Sequence, residues 1–317
     1  MTAPQPPERL PAWRAFIKRR PLLSFFTLCI TLSWVAWVPY IVGNHGLGIE
    51  DIGGTDMMTG QLLLMLPGAY LGPIFSAFLV TAVADGREGV RKWVGRLFRW
   101  RVGLRWYALA LLGVPAALIV CSLVFSGGSI QAPPSMLFVM FLPGLILQFL
   151  TTGIAEEPGW RDFALPRMQP MFGPLPGTVI LGLIWGVWHL PLFLTQWAGY
   201  PEEVTWLSPL EFTVSCVAIS IVMTWVFNRT GESLPVAILL HAGVNNFMSM
   251  AYGPMFPSID ARDTAAHVML LAFGVASIVL LITTKGRLGY VPAVQDPAPH
   301  DPASSQGDRK PGENVQA

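Results

Sequence analysis

The sequence contains eight apolar runs of about 20 residues, and a helix of that length can cross a hydrocarbon core of about 30 Å. We number them span 1 to span 8, and they cover residues 22–42, 61–84, 107–126, 135–155, 178–197, 209–227, 233–252 and 264–284. Only 12% of the residues are charged, against about 25% in soluble domains, so a soluble fold would lack polar surface. The runs therefore predict an all-α, polytopic membrane helix bundle with about eight transmembrane helices.

The positions of lysine and arginine predict the orientation of the spans. Five of these residues precede span 1, seven lie between spans 2 and 3, and the remaining alternate loops and the end of span 8 also carry them. The four intervening loops hold only Arg262. Because positive residues are enriched on the cytoplasmic side, we expect a multi-pass protein of the cell membrane with both termini in the cytoplasm.

Three segments divide the chain. We expect a basic cytoplasmic N-terminus over residues 1–21, a transmembrane domain over 22–288, and a disordered cytoplasmic tail over 289–317, which is rich in Pro, Ser, Gly and Asp. Residues 87–106 interleave Arg and Lys with apolar side chains, which predicts an amphipathic helix at the membrane interface with lipid headgroups as partners. The near-zero net charge gives no indication of a nucleic-acid partner.

Few polar side chains lie in or at the end of a span, where their cost makes them candidates for function. Glu156 and Glu157 end span 4, His189 lies about 16 Å into span 5, and His241 and Asn245 lie about 12 Å and 18 Å into span 7. By these boundaries Glu156 lies shallower than His189, so either span 4 continues past it or a water-filled cavity reaches the histidines.

The stretch from Glu156 to Arg161 combines two carboxylates with a helix breaker and a cation. Pro158 lacks an N–H and favours a local break that turns the carboxylates into the bundle. Glu157 and Arg161 are four residues apart, so they can pair on one helical turn and leave Glu156 unpaired. An unpaired carboxylate, a histidine and a water suit general base catalysis of hydrolysis.

These residues make the chain resemble the CPBP family of intramembrane proteases, which includes the type II CAAX prenyl endopeptidases. The family's EExxxR appears as Glu156 to Arg161, its FxxxH as Trp185 to His189 with tryptophan replacing phenylalanine, and its HxxxN as His241 to Asn245. Residues 105–255 carry this resemblance. Asp162 stands where many relatives have glycine, which leaves the local packing beside Arg161 open.

The resemblance implies a role for each motif residue. Glu156 would take a proton from the attacking water, which His189 would help to position. His241 and Asn245 would donate hydrogen bonds to the oxyanion. By the same resemblance, Glu157 would have a structural role, and Arg161 would either have a structural role or bind a carboxylate of the substrate. Trp185 would line the cavity. The expected substrate is a membrane-associated peptide or protein, with or without a lipid group.

The motif residues leave the metal question open. Glu156, His189 and His241 are a plausible zinc set, yet the HExxH pattern common in helical zinc hydrolases is absent. Usage in the family divides between metalloprotease and glutamic protease, and we favour a mechanism with no obligatory metal.

Two other classes of function are compatible with the sequence. One is a proton-coupled secondary transporter, although the inverted repeat typical of such folds is not evident. The other is a membrane scaffold or immunity protein that keeps the fold.

Overall fold

The computed structural model describes residues 11–259 and 263–292, and these residues are helical with no β-strand. Eight helices in them are long and apolar enough to span a membrane, which confirms the predicted bundle. Spans 1 to 8 are Pro21–Val42, Met57–Ala84, Leu104–Phe125, Ser135–Phe172, Pro174–Leu194, Ser208–Arg229, Leu234–Met255 and Thr264–Thr284. A short helix, Ala12–Arg19, precedes span 1, and most of the predicted disordered tail lies outside the described residues.

Span 4 is much longer than predicted. It runs from Ser135 to Phe172, so Glu156 and Glu157 lie well inside the helix, and the prediction that they end it is wrong. The apolar run stops at residue 155 because residues 156–162 include three acidic side chains and an arginine. Those side chains are buried against protein rather than lipid, so their polarity does not mark the edge of the membrane.

Pro158 widens the helix of span 4 and does not break it. A π-helical segment runs from Pro158 to Ala164, and another, Phe149–Gly153, precedes the two glutamates. Widened turns accommodate a missing N–H without ending the helix, and such turns are common at functional sites. A Cβ on Gly159 would collide with the backbone of Pro73 in span 2, so glycine allows the two spans to touch here.

The predicted amphipathic segment forms a helix only in its first half, Gly86–Arg96, which we call the basic helix. Residues 97–103 form turns and loop, and span 3 begins at Leu104 after the extended Gly103. The basic helix is anchored to span 4, since the indole N–H of its buried Trp93 donates to the carbonyl of Pro158 over 3.0 Å. The basic helix is therefore held against the helix that carries both glutamates.

Span 7 lies at the centre of the bundle. In its most apolar stretch 72% of the residues are buried within the protein, against 22% for spans 3 and 8. It packs against spans 3, 4 and 6, and span 5 packs against span 6 and the end of span 4. This arrangement brings the motif-bearing parts of spans 4, 5 and 7 into one interior region.

Candidate active site

Glu156 is a buried carboxylate with one neutral hydrogen-bond donor. Its side chain projects from span 4 between the two π-helical segments, and the residue is only 5% exposed. The indole N–H of Trp185 in span 5 donates to its Oε2 over 2.7 Å. Within the described part of the chain, the ion pairs of this region are formed by Glu157 and not by Glu156.

Glu157 is fully buried and contacts both Arg161 and His241. Its Oε2 lies 3.3 Å from Arg161 Nε, so the predicted pairing across one turn is confirmed, although the two atoms lack hydrogen-bond alignment. Its Oε1 accepts a hydrogen bond from His241 Nδ1 over 2.8 Å. Because a carboxylate accepts, His241 must carry a proton on Nδ1 and present Nε2 on the other side of the ring. Glu157 therefore orients His241, a role that the sequence did not indicate.

Arg161 fills an interior pocket between spans 4, 5 and 6. It is completely buried, its Nη2 donates to Ser220 Oγ over 3.2 Å, and its guanidinium lies 5.1 Å from the ring centre of Trp185. Of the two roles that the resemblance implies for Arg161, these contacts favour the structural one.

His189 sits in an aromatic enclosure. Its ring stacks on Trp197 with a centroid distance of 5.5 Å, and the rings of Trp188 and Phe212 approach it edge-on. The carbonyl of Trp185 accepts a hydrogen bond from His189 Nδ1 over 2.9 Å. In the neutral ring Nε2 therefore carries a lone pair that can accept a hydrogen bond from water.

Asn245 lies on span 7 one turn beyond His241 and is half-buried. Its Nδ2 is 3.4 Å from Thr152 Oγ1, and Thr152 lies one turn before Glu156 on span 4. This contact is long, so the amide remains available to a stronger acceptor. The structure therefore links all three motifs: Trp185 contacts Glu156, Arg161, His189 and His241, and Asn245 reaches the same helix as Glu156.

The zinc set does not fit the side chains as they are placed. Among the residues that the structure describes, no three His, Cys, Asp or Glu side chains are grouped closely enough to hold a metal ion. The hydrogen bonds at Glu156 Oε2, His189 Nδ1 and His241 Nδ1 leave a second atom free on each side chain, but the three side chains do not converge closely enough on one point. We therefore derive no step that passes through a metal.

Asp162, which replaces the usual glycine, connects the site to the basic helix. Its buried Oδ1 accepts from Arg96 Nη1 over 2.6 Å, and Arg96 Nε also pairs with Glu232 over 2.8 Å. Burial opposes the charge on Arg96, but the carboxylates of Asp162 and Glu232 outweigh it and raise the pKa of Arg96. The sequence gives no signal for this network, because its members lie 66 and 136 residues apart.

Comparisons with known proteins match the motif-bearing region. The profile of a family described as "Type II CAAX prenyl endopeptidase Rce1-like" matches residues 138–247, which contain all three motifs. The protein named "CAAX prenyl protease 2" from Methanococcus maripaludis is 28% identical over 195 residues, which are 58% of this chain and 70% of that protein. Over the motif-bearing region the chain is therefore similar to the CAAX prenyl endopeptidases, the group that its three motifs resemble.

These similarities, together with the eight apolar helices, identify the chain as a multi-pass membrane peptidase. The family match favours an enzyme over the transporter and scaffold alternatives. The profile match begins within span 4 and ends within span 7, so it includes spans 5 and 6, whereas spans 1 to 3 and span 8 lie outside it.

Proposed function

We propose that the chain is an intramembrane endopeptidase that uses Glu156 to activate water and hydrolyses a membrane-associated substrate near the cytoplasmic side. One observation carries this proposal. Glu156, a buried carboxylate with a neutral donor, shares its contact residue Trp185 with His189 and His241, whose rings have different hydrogen-bond partners. A carboxylate that is free of ion pairs can take a proton, which suits a general base.

Attack on the peptide bond begins at a water held by spans 4 and 5. The second carboxylate oxygen of Glu156, Oε1, takes one proton from the water, and Nε2 of His189 accepts a hydrogen bond from the same water. The water oxygen forms a bond to the carbonyl carbon, and the carbonyl becomes an oxyanion. Glu156 then returns the proton to the departing amine as the C–N bond breaks, so one water is consumed and no group stays on the enzyme.

The oxyanion is stabilised by two donors from span 7. Asn245 Nδ2 provides one hydrogen bond, and His241 Nε2 provides the other when the ring carries two protons. His241 Nδ1 already donates to Glu157, so this doubly protonated ring faces a carboxylate that balances its charge. Preorganised donors of this kind supply much of the catalysis in acyl transfer.

The family points to a class of substrate. The relative from Methanococcus maripaludis is named for a prenylated CAAX substrate, so we propose a peptide or protein that carries a prenyl group near its C-terminus. Lipid surrounds the enzyme, and the Lys and Arg alternation supports a location in the cell membrane with both termini in the cytoplasm. The mechanism needs no obligatory metal.

A cleavage assay in proteoliposomes tests this function. The purified chain is incubated with a quenched fluorescent peptide that ends in a prenylated CAAX sequence, and with the same peptide without the prenyl group. We expect mass spectrometry to find cleavage after the prenylated cysteine, and the Glu156→Ala variant to be inactive. Cleavage that persists in this variant would contradict the assignment of the base, and equal cleavage of both peptides would contradict the substrate class.

A further inference from the structure

Trp185 is the one motif position at which the chain departs from the family pattern, and the departure adds a hydrogen-bond donor. The pattern FxxxH has phenylalanine there, which has no N–H, whereas the indole of Trp185 donates to Glu156 Oε2 over 2.7 Å. We propose that Trp185 is a positioning residue for the base, fixing one oxygen of Glu156 so that the other faces the water. This inference rests on the function proposed above.

The indole N–H of Trp185 is a suitable partner for a general base, because it is neutral and does not give up its proton. An indole N–H can only donate, so it can hold the carboxylate oxygen throughout a catalytic cycle. A cation in its place would stabilise the ionised carboxylate more strongly and make Glu156 a weaker base. The cationic group of Arg161 is instead paired with Glu157, and His241 Nδ1 donates to the same carboxylate. The hydrogen-bond partner of the buried Glu156 is therefore an uncharged group.

The indole is itself held in place by several contacts. Its ring is 4% exposed, lies under the guanidinium of Arg161 at 5.1 Å, and meets the ring of His241 edge-on at 5.4 Å. The backbone carbonyl of Trp185 accepts from His189 Nδ1. Trp185 therefore fixes Glu156 through its side chain and His189 through its backbone carbonyl. It thereby sets the distance between the two groups that hold the water.

Removing only the N–H tests the proposal. Trp185→Phe restores the family residue and keeps an aromatic ring. Replacement of Trp185 by 3-benzothienylalanine keeps the bicyclic shape and loses only the donor, in case the phenylalanine variant does not fold. Trp37→Phe is the matched control, because the buried Trp37 also donates over 2.7 Å, but to the carbonyl of Met65 in span 2.

The kinetic signature separates positioning from packing. With the prenylated peptide in proteoliposomes, both changes at Trp185 should lower kcat by about 10- to 100-fold, the effect of losing a hydrogen bond to a charged group, and should leave KM nearly unchanged. The acidic limb of the kcat profile should move to higher pH, because the ionised carboxylate has lost a donor. Trp37→Phe should change neither. All variants keep the charged and titratable neighbours of Glu156, namely Cys29, Glu157, Arg161, Cys216 and His241.

The outcomes distinguish this inference from the proposed function. If Glu156→Gln lowers kcat by about 10²–10⁴ and adding Trp185→Phe to it lowers kcat no further, the two residues act together as inferred. If Glu156→Gln is inactive but both Trp185 replacements keep the wild-type kcat and pH profile, only the inference on Trp185 is overturned. If Glu156→Gln cleaves as fast as wild type, the proposed function is overturned as well.

Discussion

Replacing Glu157 by glutamine tests whether one buried carboxylate holds both Arg161 and His241. Its two oxygens lie 3.3 Å from Arg161 Nε and 2.8 Å from His241 Nδ1, and both Glu157 and Arg161 are completely buried. Removing one member of a buried ion pair costs about 3–5 kcal/mol, because the other charge stays buried without a partner. We therefore expect Glu157→Gln and Arg161→Met each to lower the free energy of unfolding by that amount. The double variant should lose clearly less than the sum of the two.

Unfolding in mixed micelles with increasing SDS, followed by tryptophan fluorescence, measures these free energies as a double-mutant cycle. Glu88 and Lys92 provide the control, since they have the same spacing and lie 2.9 Å apart but are 64% and 70% exposed. Lys92→Met should leave unfolding unchanged, because exposed pairs often contribute nothing measurable. If the costs of Glu157→Gln and Arg161→Met simply add, the two residues are not coupled and the reasoning about their pair is refuted.

Three further predictions concern the oxyanion donor, the orientation and the metal. Asn245→Ala should fold normally and lower kcat by about 10²–10³, the effect of one lost oxyanion donor, and a rate near wild type would remove Asn245 from the mechanism. Reporter fusions at Gly128 and Glu202 should lie outside the cell and one at Arg99 inside, whereas the opposite pattern would overturn the orientation. Cleavage should survive a membrane-permeant chelator, and stoichiometric zinc whose removal abolishes activity would contradict this.

Local patterns in the sequence predicted much of the fold and part of the site. The eight spans follow from runs of apolar residues, and the pairing of Glu157 with Arg161 follows from a spacing of four on one helix. The length predicted for span 4 is too short, because its polar residues face the protein interior. A run of apolar residues ends at such positions even where the helix continues. The basic helix ends early, at Arg96, because turns and the extended Gly103 separate it from span 3.

Contacts between distant parts of the chain were not predictable in the same way. His241 meets Glu157 across 84 residues, and Asp162 meets Arg96 across 66, so neither contact leaves a local pattern. The sequence showed that tryptophan occupies position 185, but not that its N–H points at Glu156 rather than into lipid. That direction is set by how spans 4 and 5 pack together.

Glu156→Gln is the most direct test of the central claim, because glutamine keeps the shape of the side chain but cannot take a proton at neutral pH. Its kcat on the prenylated peptide is measured in proteoliposomes beside wild type and Glu202→Gln, the same change in an exposed loop. The account predicts a loss of about 10²–10⁴ in kcat for Glu156→Gln, with unchanged unfolding, and no loss for Glu202→Gln. A Glu156→Gln protein that cleaves at the wild-type rate would show that another group activates the water.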